Sequence, residues 1–458
     1  MAYAKASTLK TKILFACGQI GWCLAAYGVT DLVFQFYLPP DNGTPLFKAF
    51  IPQTTFFGIF KLVGIITFIA YVISAFMEPI VATLSDNSHF KWGKRKTFML
   101  FSALPLAILS VLTFFPPTPY ISQLNAAWMS VCILAVFLII CFYTTPYNAL
   151  INELSHSEAE RMSITMIISV AYALGIGIGQ TINLFIKHLG DTMGNERAFQ
   201  TGILLFGILS AIFMYIPVLF VPDNSNTEKS YENKNTPFLQ MISDVWSNKN
   251  FRYFAFIELL NWYPQKIFTI AVPYIVATLM KLDNVYTSYI LYSLGLFSFA
   301  LYPLIAKLTA RFGKRKMMIS ACAFLMLSYL YTTFYGYFKL PTFLAVSLYI
   351  LLNIYPTAVL GLLPMAMAGD MAQADAQKTG IYKNASYYGM KTFMMKMGIA
   401  LTSLIFPSLL LLGNTPGHTM GIRLVAFVSV ITSLLSIILL MKYKDPVILM
   451  SDKTMNDK

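Results

Sequence analysis

Phe90-Lys91-Trp92-Gly93-Lys94-Arg95-Lys96 and, 220 residues further on, Arg311-Phe312-Gly313-Lys314-Arg315-Lys316 share one core: an aromatic residue, a glycine and three bases. The first copy follows the second long apolar block of the chain, and the second copy follows the eighth. One basic cluster beside a helix is unremarkable. Two matching clusters at equivalent places point to two parallel repeats of six apolar segments, related by an axis along the membrane normal. The glycine permits a tight turn that a bulkier residue would strain. The bases can meet helix C-terminal ends and anionic headgroups. Asp86 lies seven residues before Gly93 and is placed to pair with one of the bases. Asp86, Gly93, Lys94 and Arg95 therefore read as a gate, with plain topology anchors as the alternative.

Composition supports a membrane protein. Of 458 residues, 57% are hydrophobic and 12% charged, against about 25% charged in an ordinary soluble chain. A block of roughly 20 apolar residues, wound as a helix, crosses the roughly 30 Å hydrocarbon layer. Only helices and closed barrels satisfy their backbone groups in lipid, and these blocks are too long for barrel strands of about ten residues. The expected class is an all-α polytopic membrane protein. The formal charge of +13, from 33 basic and 20 acidic residues, would suggest nucleic acid in a soluble protein. Here the position of each charge matters more, and the expected partners are membrane lipids, a small-molecule substrate and a coupling cation, with no nucleic acid and no required oligomer. Cys17, Cys23, Cys132, Cys141 and Cys322 all fall in apolar blocks. They imply packing rather than a disulfide framework. No cleavable signal peptide is evident, so the first block is expected to be retained.

Twelve spans are expected, at about 13–38, 54–83, 97–116, 124–150, 162–186, 199–221, 252–280, 285–309, 317–337, 341–369, 384–412 and 420–441. They divide into a six-helix bundle over 1–221, a linker over 222–251, a second six-helix bundle over 252–441 and a tail over 442–458. With both termini in the cytoplasm, 22 of the 33 bases fall on that side, 6 on the other and 5 in or near spans. This bias sets the orientation and favours an even span count. A plasma or bacterial inner membrane is the expected location.

A charge inside hydrocarbon is costly and marks a partner or an aqueous path. Glu78 is the clearest case, within Ser74-Ala75-Phe76-Met77-Glu78-Pro79. Pro79 removes a backbone donor and loosens the turn before it, while Ser74 shares the face of Glu78 one turn earlier. Such a carboxylate could bind a cation, hold a proton or pair with a lysine. Lys396 lies deep in the eleventh span, where an ammonium needs a partner, whereas Lys391, five residues earlier, is expected to face elsewhere. Asp31 and Glu258 are weaker candidates, each near enough to a helix end to snorkel. Asp370 and Lys378 lie near the cytoplasmic boundary and read as gate residues. Thr144, Tyr147 and Asn148 around Pro146, together with Trp262 and Gln265 around Pro264, could line a path for a polar solute. No phosphate-binding glycine loop and no zinc signature occur, so neither an enzyme nor a cofactor is expected. Without an ATP site, uphill movement would need a transported Na+ or H+, or exchange.

These motifs resemble those of the major facilitator superfamily and, more narrowly, the glycoside–pentoside–hexuronide:cation symporter family. The resemblance runs over about residues 10–445 and rests on Glu78-Pro79-Ile80, Asp86, Trp92-Gly93-Lys94, Pro146-Tyr147-Asn148-Ala149-Leu150 and the segment from Asp370 to Lys396. It implies alternating access between two six-helix bundles, with sodium, proton or lithium ions driving sugars. It also implies that Glu78 stands in the cation site and that Lys396 contributes to coupling. The family pattern has a second acid where Ser74 stands, an acid within the stretch Ile20 to Cys23 and another at Thr144. This chain has none of the three, which leaves sodium and proton coupling both open. An exchanger or lysolipid-like carrier is the second reading, and a membrane receptor or scaffold the third.

Overall fold

The computed structural model describes residues 8–40, 45–88, 90, 92–155, 157–221, 242–243, 245–337, 340–380 and 383–444. The expected linker and tail fall largely outside these residues, as does Lys91. The described chain is almost wholly helical. Its long helical runs are α1 (Leu9–Tyr37), α2 (Leu62–Asp86), α3 (Lys96–Leu112), α4 (Gln123–Leu154), α5 (Glu160–Met193) and α6 (Asn195–Phe220). They continue with α7 (Lys249–Tyr274), α8 (Val285–Phe312), α9 (Lys314–Thr333), α10 (Thr342–Thr379), α11 (Asn384–Leu410) and α12 (Met420–Lys442). Each run falls on one expected span. Among the described residues, nine of them are long and apolar enough to cross a membrane. Of the other three, α3 is short, α7 carries Glu258 and Lys266, and α9 opens on three bases.

Local chemistry sets the helix ends. Thr8, Ser122, Ser157 and Asn248 each accept a backbone N–H of the first turn that follows, which satisfies donors a helix start leaves open. Gly380 closes α10 in the left-handed conformation at φ 71°, as a glycine cap does. Gly313, at φ 83° and ψ 154°, joins α8 to α9, and Gly93 before α3 has φ 96°. The two glycines of the repeated motif thus adopt backbone geometry that side-chain-bearing residues rarely reach. The second span differs from its expected start. Thr55–Phe56 and Phe60–Lys61 form a short two-stranded hairpin, β1 and β2, and α2 begins only at Leu62. The aromatic, apolar run suits either helix or strand, and Gly58 at φ 71° turns it back on itself. Lys61 consequently precedes the helix and donates to Gln53 Oε1 at 2.8 Å.

The helices gather into two compact units. In the first, α1 packs on α5 and α6, α4 on α2 and α3, and α3 on α6. In the second, α7 packs on α11 and α12, α10 on α8 and α9, and α9 on α12. The second set is the first shifted by six helices. Tyrosines tie helices together inside each unit. Tyr37 donates to Thr113 O at 2.6 Å, Tyr143 to Met214 O at 2.9 Å, and Tyr329 to Pro264 O. The five cysteines are free thiols, four of them buried.

Candidate functional site

Two kinds of polar cluster stand out: charged clamps at the repeated loops and polar groups within the apolar layer.

In the first unit, Arg95 sits between two helix ends. Its guanidinium pairs with Asp86 at the end of α2, meets Glu153 Oε1 on α4 at 3.1 Å and donates to Ser85 Oγ at 3.1 Å. It is only 11% exposed. A guanidinium suits this place because its rigid fork can serve several acceptors at once. The expected Asp86 pairing is present, and Glu153 is an addition that the sequence did not suggest. Lys94 is half-buried, and its carbonyl accepts from Ser88 Oγ at 3.1 Å. In the second unit Lys314 pairs with Asp370 of α10 at 2.5 Å. Arg315 donates to the carbonyls of Leu440 at 2.8 Å and Met441 at 2.5 Å near the end of α12. The α4 carboxylate and the α10 carboxylate therefore meet the same loop in each repeat, through the second base in one and the first in the other. Lys378 lies exposed in the last turn of α10, where a cation complements the helix end.

Within the layer, Ser74 is buried against α4, where Cys141 Sγ approaches its Oγ at 3.5 Å. Glu78 follows one turn later and is half-buried. Asp31 lies in a π-helical turn of α1, Gly28–Leu32, and accepts from Thr30 Oγ1. Thr144 returns its hydroxyl to Ile140 O at 2.9 Å. Tyr147 is fully buried, donates to Phe15 O at 3.0 Å and stacks on Phe15 at 4.4 Å. Its place is thus the α1–α4 packing, while Asn148 is exposed.

The second unit holds a buried charged cluster around Glu258 that sequence position alone does not reveal. Glu258 of α7 is fully buried. Its Oε2 meets Lys391 Nζ of α11 at 3.6 Å and accepts from Trp262 Nε1 at 3.3 Å. Glu258 therefore does not snorkel, and Lys391 does not face elsewhere. Gly398 makes this approach possible: a Cβ there would run into the Leu259 carbonyl of α7. Gln265 is half-buried and donates to Asn261 O at 3.4 Å. Lys396, five residues beyond Lys391, is also half-buried.

The model of one family, described as MFS/sugar transport protein, matches residues 19–444. The chain belongs to the MFS/sugar transport protein family. Here MFS denotes the major facilitator superfamily, and the family is one of transport proteins, not of enzymes. The chain is 24% identical to the isoprimeverose transporter of Lactiplantibacillus pentosus over 46% of its own length and 44% of that protein. It is 25% identical to the inner membrane symporter YicJ of Escherichia coli K12 over 55% of its own length and 52% of that protein. The matched stretches span about half the length of these two relatives. The crystal structure of a D-xylose-proton symporter superposes with a TM-score of 0.70 at 11% identity, covering 96% of this chain and 99% of that one. That likeness shows the fold: an all-α, multi-pass membrane protein of the superfamily type.

Proposed function

We propose that this MFS/sugar transport family member is a secondary active transporter that couples a cation to symport of a sugar, glycoside or similar small polar solute. The observation that carries the reading is the family match over 19–444, which takes in most of every helix from α1 to α12. The names of the two relatives, one a transporter of isoprimeverose and one a symporter, support a sugar and a coupling ion. The resemblance to the glycoside–pentoside–hexuronide:cation symporters narrows it further. In this reading 1–221 and 252–441 are six-helix bundles that alternate in access, 222–251 is a cytoplasmic linker, and both termini are cytoplasmic.

Glu78, Ser74 and Lys396 are assigned to cation coupling. A hydroxyl at Ser74 adds an oxygen but no negative charge, so Glu78 alone supplies a poor sodium cage. A proton needs only the one carboxyl group, which suits proton coupling at least as well. Asp31, Thr144, Asn148, Trp262 and Gln265 are assigned to the solute path, while Tyr147, packed between α1 and α4, holds those helices together. Asp86, Gly93, Lys94, Arg95, Asp370 and Lys378 are assigned to gating. Exchange without a coupling ion, or a lysolipid-like solute, is the second reading. Ser74, Thr144 and the stretch Ile20 to Cys23 favour it, because each lacks an acid of the family pattern.

The test is uptake of radiolabelled pentoses, hexoses, their glycosides and lysolipids into proteoliposomes, with sodium or proton gradients imposed separately. The proposal expects accumulation of a sugar or glycoside under one of the two gradients. Accumulation of lysolipid alone, or sugar exchange indifferent to both gradients, would overturn it.

A further inference from the structure

We propose that Glu258, Asn261 and Trp262 of α7, with Lys391 of α11, form a buried subsite for one hydroxyl group of the transported solute. This rests on the polar-solute reading above and adds a position and a chemistry to it. The three α7 residues lie on one face of the helix, separated by three and four positions. Lys391 and the Trp262 indole occupy Glu258 Oε2, at 3.6 Å and 3.3 Å. The other oxygen, Oε1, is buried and has no hydrogen-bond partner among the described residues, and neither has Asn261 Nδ2. In the structure Asn261 Oδ1 faces Cys322, whose thiol donates to it at 3.4 Å, and this leaves Nδ2 as the open group. An open acceptor and an open donor thus stand one helical turn apart, both at 1% exposure or less.

Leaving two such groups unpaired in a protein interior is costly, and what fills the gap must satisfy both. A metal cation would meet the Asn261 N–H and the Lys391 ammonium, which repel it. A proton on Oε1 would leave two donors facing each other. A hydroxyl can donate to Oε1 and accept from Nδ2 at once. Trp262 is half-buried and Gln265 follows one turn later, also half-buried. An indole face next to a polar pair suits a sugar ring, which has apolar faces and hydroxyl edges. The hydroxyl could belong to the solute or to a trapped water, and only the solute's hydroxyl makes affinity depend on a particular ring position.

The full-length protein, reconstituted in lipid, is titrated with D-xylose, D-galactose and their methyl glycosides, and then with the single-position deoxy analogues of whichever binds. Wild type is compared with Glu258→Gln, with Asn261→Leu and with the charge-neutral double variant Glu258→Gln/Lys391→Met, which guards against a folding failure of the first. The proposal expects each variant to weaken the parent sugar by roughly tenfold to a hundredfold, as for loss of a hydrogen bond to a charged group. One deoxy analogue should bind wild type and variants alike, because its missing hydroxyl is the one the subsite reads. If every analogue weakens as much as the parent, the gap holds water and the proposal is overturned. If the variants bind the parent sugar as wild type does, the subsite falls and the transport reading stands. If wild type binds none of the sugars, the sugar reading fails first and takes the subsite with it.

Discussion

Arg95 shows how one side chain can hold two helix ends. Replacing it with alanine leaves Asp86 and Glu153 without a shared partner at 29% and 19% exposure. That should lower stability by about 1–3 kcal/mol, read as a drop in the melting temperature of the purified protein. Arg95→Lys should recover only part of the loss, because an ammonium lacks the fork. Full recovery by lysine would show that charge alone matters there. Glu78 carries the corresponding functional prediction. Glu78→Gln should fold and still exchange solute at equal concentrations, yet lose accumulation under an ion gradient. Wild-type accumulation by that variant would remove Glu78 from coupling. The Asp86 pairing could be read from the sequence because both partners flank one short loop. Glu153 could not, since it lies 58 positions from Arg95 and only helix packing brings it there. The same holds for Glu258 and Lys391. Periodicity gives the face of a helix but not which neighbour that face meets.

At the level of elements, the repeated glycine turns were legible because the motif recurs at the same place in each half. Their positive φ angles, 96° at Gly93 and 83° at Gly313, give the physical reason for glycine. A valine at either position should cost about 1–3 kcal/mol of backbone strain. On the gating assignment, Gly93→Val should slow turnover more than it weakens solute binding, both measured on purified protein. Normal turnover with lost binding would contradict that assignment. The second span starts later than its apolar run suggests, at Leu62 after the hairpin, and for a definable reason. Phe56-Phe57-Gly58-Ile59-Phe60 is apolar enough to extend a membrane helix, and hydropathy carries no information about backbone direction. The clue was compositional: Thr54-Thr55 followed by aromatic and β-branched residues around a glycine is strand-and-turn chemistry.

For the whole molecule, the duplication seen in two short loops reappears in the helix pairings, where the main packing pairs of the first unit recur six helices on. The number and order of helices followed from long apolar blocks broken by Pro, Gly and Asn clusters. The internal polar contacts depend on rotation about each helix axis, which composition does not encode. Orientation yields a direct expectation from the basic-residue bias. A cysteine at Tyr120, which is 64% exposed before α4, should label from outside intact cells. A cysteine at the exposed Lys378 should label only after permeabilisation, and the opposite pattern would invert the topology. Cation-coupled symport is tested most directly by following solute and ion together in one set of proteoliposomes. After an inward proton or sodium gradient is imposed, the solute should rise above its external concentration, the same ion should enter with it, and both should stop when an ionophore collapses that gradient. Solute that only equilibrates, at a rate indifferent to either gradient and with no ion movement, would contradict the proposed mechanism.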